Sequence, residues 1–206
     1  GGATLVSGGG KVSDYVSFDG SEAARLVLEN YDHNDEAHIF WGVFDEEKHY
    51  SMSFWVKLDD INTDYTLISK RKGTANGFSV GFDTSSKTFY TNVHGPSYGT
   101  EQIVSDVAAG TWYHIVVWYQ GNSEPDNPRG ISGIAVNANP DLTAATQSTH
   151  GQYDTADALF TVGGRQYTSD PASMEGDIDS VGFWHNRVLT SQERIFLYNG
   201  GNGIEP

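Results

Sequence analysis

The stretch YSMSFWVKL, from Tyr50 to Leu58, shows the pattern that decides the fold. Its apolar residues fall on every second position, and the positions between them are polar except for Trp55. Because successive side chains of a β-strand point to opposite faces, this alternation predicts a strand with one buried face.

The same signal recurs along the chain, between clusters of Gly, Asn, Asp and Ser. GFSVGFD, from Gly77 to Asp83, alternates in the same way, and DTSSK at 83–87 supplies a hairpin turn into the next strand. The segment from Trp112 to Tyr119 is apolar on both parities apart from His114, which predicts a central strand with a structural, hydrogen-bonded histidine. Its predicted return partner is Ile131 to Asn137, after a polar loop.

The end of the chain predicts two more strands and a short helix. The strands are Leu159 to Gly163 and Asp177 to Trp184. The helix runs from Thr190 to about Tyr198, because Thr190 and Glu193 have the spacing of a capping box and an Asn-Gly-Gly sequence follows. No internal repeat or change of composition divides the chain, so we expect a single domain over residues 1–206.

Composition excludes several functional classes. The formal net charge is −15, so the surface repels nucleic acid and anionic membranes. The chain has no cysteine, which rules out disulfides, thiolate zinc sites and a catalytic thiol. We also find no apolar run long enough for a membrane span.

Seven segments together carry a resemblance to a known family, in their order along the chain. The chain resembles the laminin-G-like, concanavalin A-like lectin/glucanase superfamily over most of its length, through VSFDGS at 16–21, MSFWVK at 52–57, TLISK at 66–70, GFSVGFD at 77–83, TWYHIVVWY at 111–119, GDIDSVGFWHNR at 176–187 and LTSQERIFLYNGG at 189–201. The resemblance implies an all-β, two-sheet antiparallel jelly-roll sandwich with a short C-terminal helix.

The resemblance implies a class of functions rather than one. The superfamily includes lectins, adhesion domains, phage virion modules and some glycosidases. We expect a non-catalytic module that recognises a glycan or a glycosylated surface, outside the cell or on a cell or virion surface, within a larger multivalent assembly. A purely structural protein–protein interaction domain and a glycoside hydrolase are the alternatives.

The resemblance also implies a structural calcium ion between an early turn and a late strand. The corresponding ligands here are Asp19, Asp177 and Asp179, of which the last two share a strand face. The alternative interpretation is that Asp19 forms a turn with its own backbone and that the other two carboxylates are solvated.

The same late strand supports the hydrolase alternative. Glu175, Asp177 and Asp179 alternate like the carboxylates of a retaining glucanase, which need two carboxyl groups about 5–5.5 Å apart. The superfamily pattern resembles E-x-D-x-E, however, and here the last carboxylate is Asp179. We therefore expect no enzyme activity.

The candidate ligand-binding residues combine aromatic rings with hydrogen-bonding side chains, as sugar recognition requires. The strand after the hairpin carries Tyr90, Asn92 and His94 on one face. The other candidates, which contribute if their strands and loops lie nearby, are Tyr98, Trp118, Asp126 and Asn127.

Overall fold

The computed structural model describes residues 2–21, 24–28, 49–71, 77–94, 98–104, 107–121, 130–140, 143–147, 159–165 and 173–204. These ranges hold thirteen strands: β1 Ala3–Val6, β2 Tyr15–Asp19, β3 Leu26–Leu28, β4 His49–Leu58, β5 Tyr65–Arg71, β6 Gly77–Asp83, β7 Thr88–His94, β8 Tyr98–Val104, β9 Trp112–Gln120, β10 Ile131–Val136, β11 Thr143–Gln147, β12 Phe160–Val162 and β13 Glu175–His185. They also hold the helix α1, Ser191–Tyr198, and a 3-10 turn, Asn199–Gly201.

The strands form two antiparallel sheets, which confirms the predicted sandwich. The seven-stranded sheet has the order β1-β2-β13-β4-β9-β10-β11, and the six-stranded sheet has the order β3-β12-β5-β6-β7-β8. The predicted central strand, β9, lies between β4 and β10 as expected. The predicted hairpin joins β6 to β7.

The core lies between the sheets and is built from the inward parity of each strand. From β4 it takes Tyr50, Met52, Phe54, Val56 and Leu58, all at most 3% exposed. The six-stranded sheet contributes the opposite half of the core, including Phe78, Val80, Phe82 and Phe89. Burying one such side chain contributes roughly 1.5–3 kcal/mol, so the alternation seen in the sequence supplies the main stabilisation.

The prediction that β4 has only one buried face is wrong, because α1 covers part of the other. Ser51, Ser53 and Trp55 on the outward parity are at most 4% exposed. A second apolar cluster forms on this side from Val116, Trp118, Ala135 and Leu189, against which Leu197 of α1 packs. We call this outer surface of the seven-stranded sheet the helix face.

The predicted capping box is confirmed at the start of α1. The Glu193 N–H donates to Thr190 Oγ1 at 3.3 Å, and the Thr190 N–H donates back to Glu193 Oε2 at 2.8 Å. Asn199 ends the helix in the left-handed region at φ 48°. Within the described ranges, no helix is long and apolar enough to cross a membrane.

One charged residue lies on the inward parity of the six-stranded sheet. The pairing of β5 with β6 skips one residue of β5 between Thr66 and Ile68. From Ile68 onwards, each side chain of β5 therefore lies on the face opposite to the one that regular alternation would give it. Lys70 consequently pairs with Phe78 and is fully buried. Burial lowers the pKa of Lys70 to about 8.

Candidate functional site

The outer surface of the six-stranded sheet carries polar side chains across four neighbouring strands. One row follows the ladder pairs from Thr161 to Ser69, then to Ser79, and then to Asn92. The first three of these residues are fully buried, whereas Asn92 is partly exposed. We call this surface the polar face, and Asn92 lies where it meets solvent.

A second row places an aromatic ring across a glycine. Gly81 of β6 pairs with Tyr90 of β7 on this face. A Cβ added at Gly81 would lie 2.4 Å from the Tyr90 hydroxyl oxygen and 2.5 Å from its Cζ. Only glycine therefore allows the phenol to lie across β6, and the ring becomes part of the polar face while staying partly exposed.

Arg165 holds the end of this ring. Its Nε donates to Thr66 Oγ1 at 2.8 Å, and the guanidinium also hydrogen-bonds the Tyr90 hydroxyl. Burial is the main cause that raises the pKa of Tyr90, so the phenol is neutral at ordinary pH. The result is a neutral aromatic ring fixed at its hydroxyl end beside Asn92.

The polar face retains hydrogen-bonding capacity. Ser69 Oγ and Asn92 Oδ1 are buried atoms without a hydrogen-bond partner among the residues described. Buried polar atoms normally have a partner, and ordered water often supplies the partner that the protein does not. Both atoms are closed to solvent, so a ligand on this face would meet the partly exposed Tyr90 ring and the exposed part of Asn92.

The structure brings together only some of the predicted ligand-binding residues. Tyr90 and Asn92 share the polar face, and the backbones of His94 and Tyr98 pair at the adjacent end of β7 and β8. The side chains of His94 and Tyr98, and the whole of Asp126 and Asn127, lie outside the described part of the chain.

Trp118 does not join Tyr90. It belongs to β9 in the other sheet, is 7% exposed, and packs on the helix face. The Arg194 guanidinium of α1 lies 4.5 Å from its ring centre. A Cβ at its ladder partner Gly133 would lie 2.2 Å from the indole, so this ring also lies across a glycine.

Protein donors occupy the three predicted calcium ligands. Asp19 accepts from the N–H groups of Gly2 and Ser21, and hydrogen bonds from Ser21 and Gly2 lower its pKa to about 2. Asp177 forms an ion pair with Lys57 at 2.5 Å, and Asp179 Oδ2 accepts from the Val12 N–H at 2.8 Å.

In these contacts the three carboxylates are bonded to protein donors. Calcium takes six to eight oxygen ligands, and an ammonium group on Asp177 competes for one of them. The part of the chain that the structure describes holds no group of three or more His, Asp or Glu side chains arranged for a metal ion. Calcium binding stays a prediction.

The candidate hydrolase carboxylates belong to the sheet opposite the polar face. Glu175, Asp177 and Asp179 pair with β2 and β4 in the seven-stranded sheet. Asp179 is 5% exposed and Asp177 is 4% exposed and paired with Lys57. A pair of accessible carboxyl groups flanking a sugar, as glycoside hydrolysis requires, is not formed by these two residues.

Sequence reasoning missed Arg165, Thr66 and Gly81. The Arg165–Thr66 contact joins residues 99 positions apart, which no local pattern indicates. The alternation of β6 did place Gly81 outward, beside Ser79, and a small outward residue opposite an aromatic residue is the signal that was available.

Comparisons with known proteins agree with this architecture. Residues 13–193 match a family model, Laminin_G_3, described as the concanavalin A-like lectin/glucanases superfamily. A search of curated protein sequences found no match to this chain.

Three solved structures illustrate the shared fold. Domain 4 of an extracellular arabinanase from Geobacillus stearothermophilus, in complex with arabinotriose, is 18% identical with a TM-score of 0.64, over 95% of this chain and 81% of that chain. A pentraxin from Limulus polyphemus is 15% identical with a TM-score of 0.61, over 93% and 84%. The CBM40 of the Ruminococcus gnavus IT-sialidase, bound to α2,3-sialyllactose, is 12% identical with a TM-score of 0.58, over 95% and 96%. At these identities the likeness shows the fold alone.

Proposed function

Because the chain belongs to the concanavalin A-like lectin/glucanases superfamily, we propose that it is a non-catalytic module that binds carbohydrate on its polar face. The observation that carries this proposal is the Tyr90 ring, which lies across Gly81 next to Asn92 and is held at its hydroxyl by Arg165. Sugars present apolar C–H surfaces to such rings and hydroxyl groups to amides.

The ligands named for two structural neighbours support the chemical class. The arabinanase domain holds arabinotriose, and the sialidase module holds sialyllactose. Both are oligosaccharides, although they differ in charge and in sugar type. We therefore propose an oligosaccharide as the class of ligand for this chain.

The proposal extends to the setting in which the module works. We propose that it works outside the cell, or on a cell or virion surface, where glycans are accessible. One partly exposed ring offers a small contact area, so we expect weak binding by a single copy. Several copies in one assembly would raise the avidity by effective concentration.

A glycan array tests the proposal. We expect retention on a subset of glycans by the unmodified chain, and at least a tenfold loss for Tyr90→Ala and for Asn92→Ala. Tyr15→Ala is the matched control, because Tyr15 is also a partly exposed tyrosine but belongs to the seven-stranded sheet. Equal losses for Tyr90→Ala and Tyr15→Ala would contradict binding on the polar face.

The same array separates the alternative functions. If no glycan on the array retains the chain, the structural protein–protein domain is favoured over the lectin-like module. Release of reducing sugar from a bound glycan would favour the hydrolase, and substitution of Glu175 would then abolish it.

Calcium is tested separately by thermal unfolding. A bound ion stabilises the folded state in proportion to the logarithm of its concentration above the dissociation constant. The prediction is that Asp179→Ala lowers the melting temperature more in calcium than in chelator. Equal losses in the two buffers would remove the calcium site and leave Asp179 as the acceptor for the Val12 N–H.

A further inference from the structure

A cavity of about 230 Å³ lies on the helix face, between β13 and the end of α1. The side chains that matter for its chemistry are Ser53, Trp55, His114, Val181, Trp184 and Leu197. The cavity belongs to the sheet opposite the polar face, so it is independent of the carbohydrate site proposed above.

A β-bulge creates one side of the cavity. The pairing of β13 with β4 passes from Asp179–Trp55 to Gly182–Ser53, so two residues of β13 oppose one residue of β4. Ser180 in the bulge has φ 51°, a left-handed conformation that is unfavourable for most residues. Bulges and strained residues of this kind are frequent beside binding sites.

Two tryptophans line the cavity. A Cβ at Gly182 would lie 2.7 Å from Cη2 of Trp184, so the absence of a side chain at this position lets the indole fold back over its own strand. Trp55 is held in place by stacking on Tyr198, with ring centres 5.7 Å apart. Gly203 packs on the edge of Trp55, since a Cβ there would lie 3.0 Å from Nε1.

The polar residues of the wall are uncharged. His114 is 1% exposed, and its Nε2 lies 2.9 Å from Ser53 Oγ. Burial lowers the pKa of His114 to about 4. Its Nδ1 has no hydrogen-bond partner in the described ranges, so protonation would bury an additional N–H without an acceptor. The imidazole is neutral at ordinary pH, although the chain as a whole carries −15.

We infer that this cavity binds a neutral, flat, mostly apolar molecule of one or two rings. Its volume exceeds the roughly 150 Å³ of a cavity that takes benzene and falls below the roughly 300 Å³ at which drug-sized pockets begin. Among the described residues no charged side chain lines the cavity, which disfavours ions because they would lose hydration there. Lys11 Nζ lies 5.0 Å from the centre of the Trp55 ring but does not line the cavity. Val181 is 47% exposed at the edge of the cavity, so the site opens to solvent there.

Naphthalene is the probe that tests this inference. Binding is measured by ligand-observed saturation-transfer NMR and by the shift in melting temperature. We expect Val181→Trp, which narrows the opening, to weaken naphthalene binding at least tenfold. Ile195→Trp is the matched control, because Ile195 is 54% exposed on α1 and does not line the cavity.

A second variant fills the cavity from the side of β4. Ser53→Leu places an apolar side chain in the space beside His114, and we expect the same loss of naphthalene binding as for Val181→Trp. Absence of saturation transfer to the unmodified chain would overturn the inference. Unchanged affinity in both variants, or an equal loss in Ile195→Trp, would also overturn it, because naphthalene would then bind elsewhere.

Discussion

The two outer surfaces of the sandwich share one local arrangement and differ in how far it is covered. On the helix face, Trp118 lies across Gly133, and on the polar face, Tyr90 lies across Gly81. Trp118 is 7% exposed beneath the guanidinium of Arg194, whereas Tyr90 stays partly exposed. An aromatic ring across a strand glycine is therefore not a binding feature in itself, and its role depends on what covers the ring.

The largest expected effect is on stability, at the covered ring. Trp118→Ala removes the largest buried side chain of the apolar cluster on the helix face, and such truncations cost about 3–5 kcal/mol. Denaturant unfolding measures this loss, and the glycan array should show no change for the refolded variant. If glycan retention fell while the fold was intact, the contrast between the two rings would not hold.

The second prediction is that acid lowers the free energy of unfolding, because His114 is buried on the helix face. The pKa of His114 is about 4 in the folded protein, against an ordinary value of 6.5, so the unfolded chain binds the proton more tightly. Stability is therefore fully present above pH 6.5 and is lost as the pH falls towards about 4, by up to roughly 3 kcal/mol.

Unfolding free energies measured across this pH range test the assignment. His114→Gln is the comparison, because it removes the titrating group while the acidic residues continue to titrate. The unmodified chain should lose stability more steeply than the variant. Parallel pH profiles would show that His114 does not cause the loss.

The third prediction returns to the glycine of the polar face. Gly81→Ala would push a Cβ against the Tyr90 hydroxyl and against the backbone carbonyl of Tyr65, at a cost of roughly 1–3 kcal/mol. Gly81→Ala should also lower glycan retention, because the added Cβ displaces the Tyr90 ring. Gly133→Ala is the matched control, since a Cβ there would lie 2.2 Å from the Trp118 indole on the helix face, and it should leave glycan retention unchanged.

The smallest expected effect comes from removing the Tyr90 hydroxyl while keeping its ring. Tyr90→Phe loses the hydrogen bond with Arg165 and should cost about 1 kcal/mol in unfolding free energy. The ring remains, so glycan retention should stay within several-fold of the unmodified chain. A complete loss of retention, as in Tyr90→Ala, would assign recognition to the hydroxyl instead of the aromatic surface.

Most of the fold follows from the sequence because alternation and capping are local. The apolar parity of β4 and the pair Thr190 and Glu193 each lie within a few residues, so the predicted strand and helix agree with the structure. The β5 register shift could not be seen in this way. It depends on pairing with β6, and it places Lys70 inward where a regular strand would not.

The candidate site is predicted only in part, for the same physical reason. Alternation put Tyr90 and Asn92 on one face of one strand, and the structure confirms that they share it. Alternation carries no information about which sheet a strand joins, so the sequence groups Trp118 with Tyr90, although Trp118 lies in the other sheet. Arg165 reaches Tyr90 through the packing of strands that are distant in sequence.

The packing of Gly203 against Trp55 and Val12 has a practical consequence for the orientation of the molecule. Both the early segment before β2 and the segment after α1 lie on the seven-stranded side of the sandwich. A tether attached near either segment would turn the polar face away from its support. A sensor surface, a bead or a neighbouring domain joined there would leave the polar face, with Tyr90, on the side of the molecule away from it.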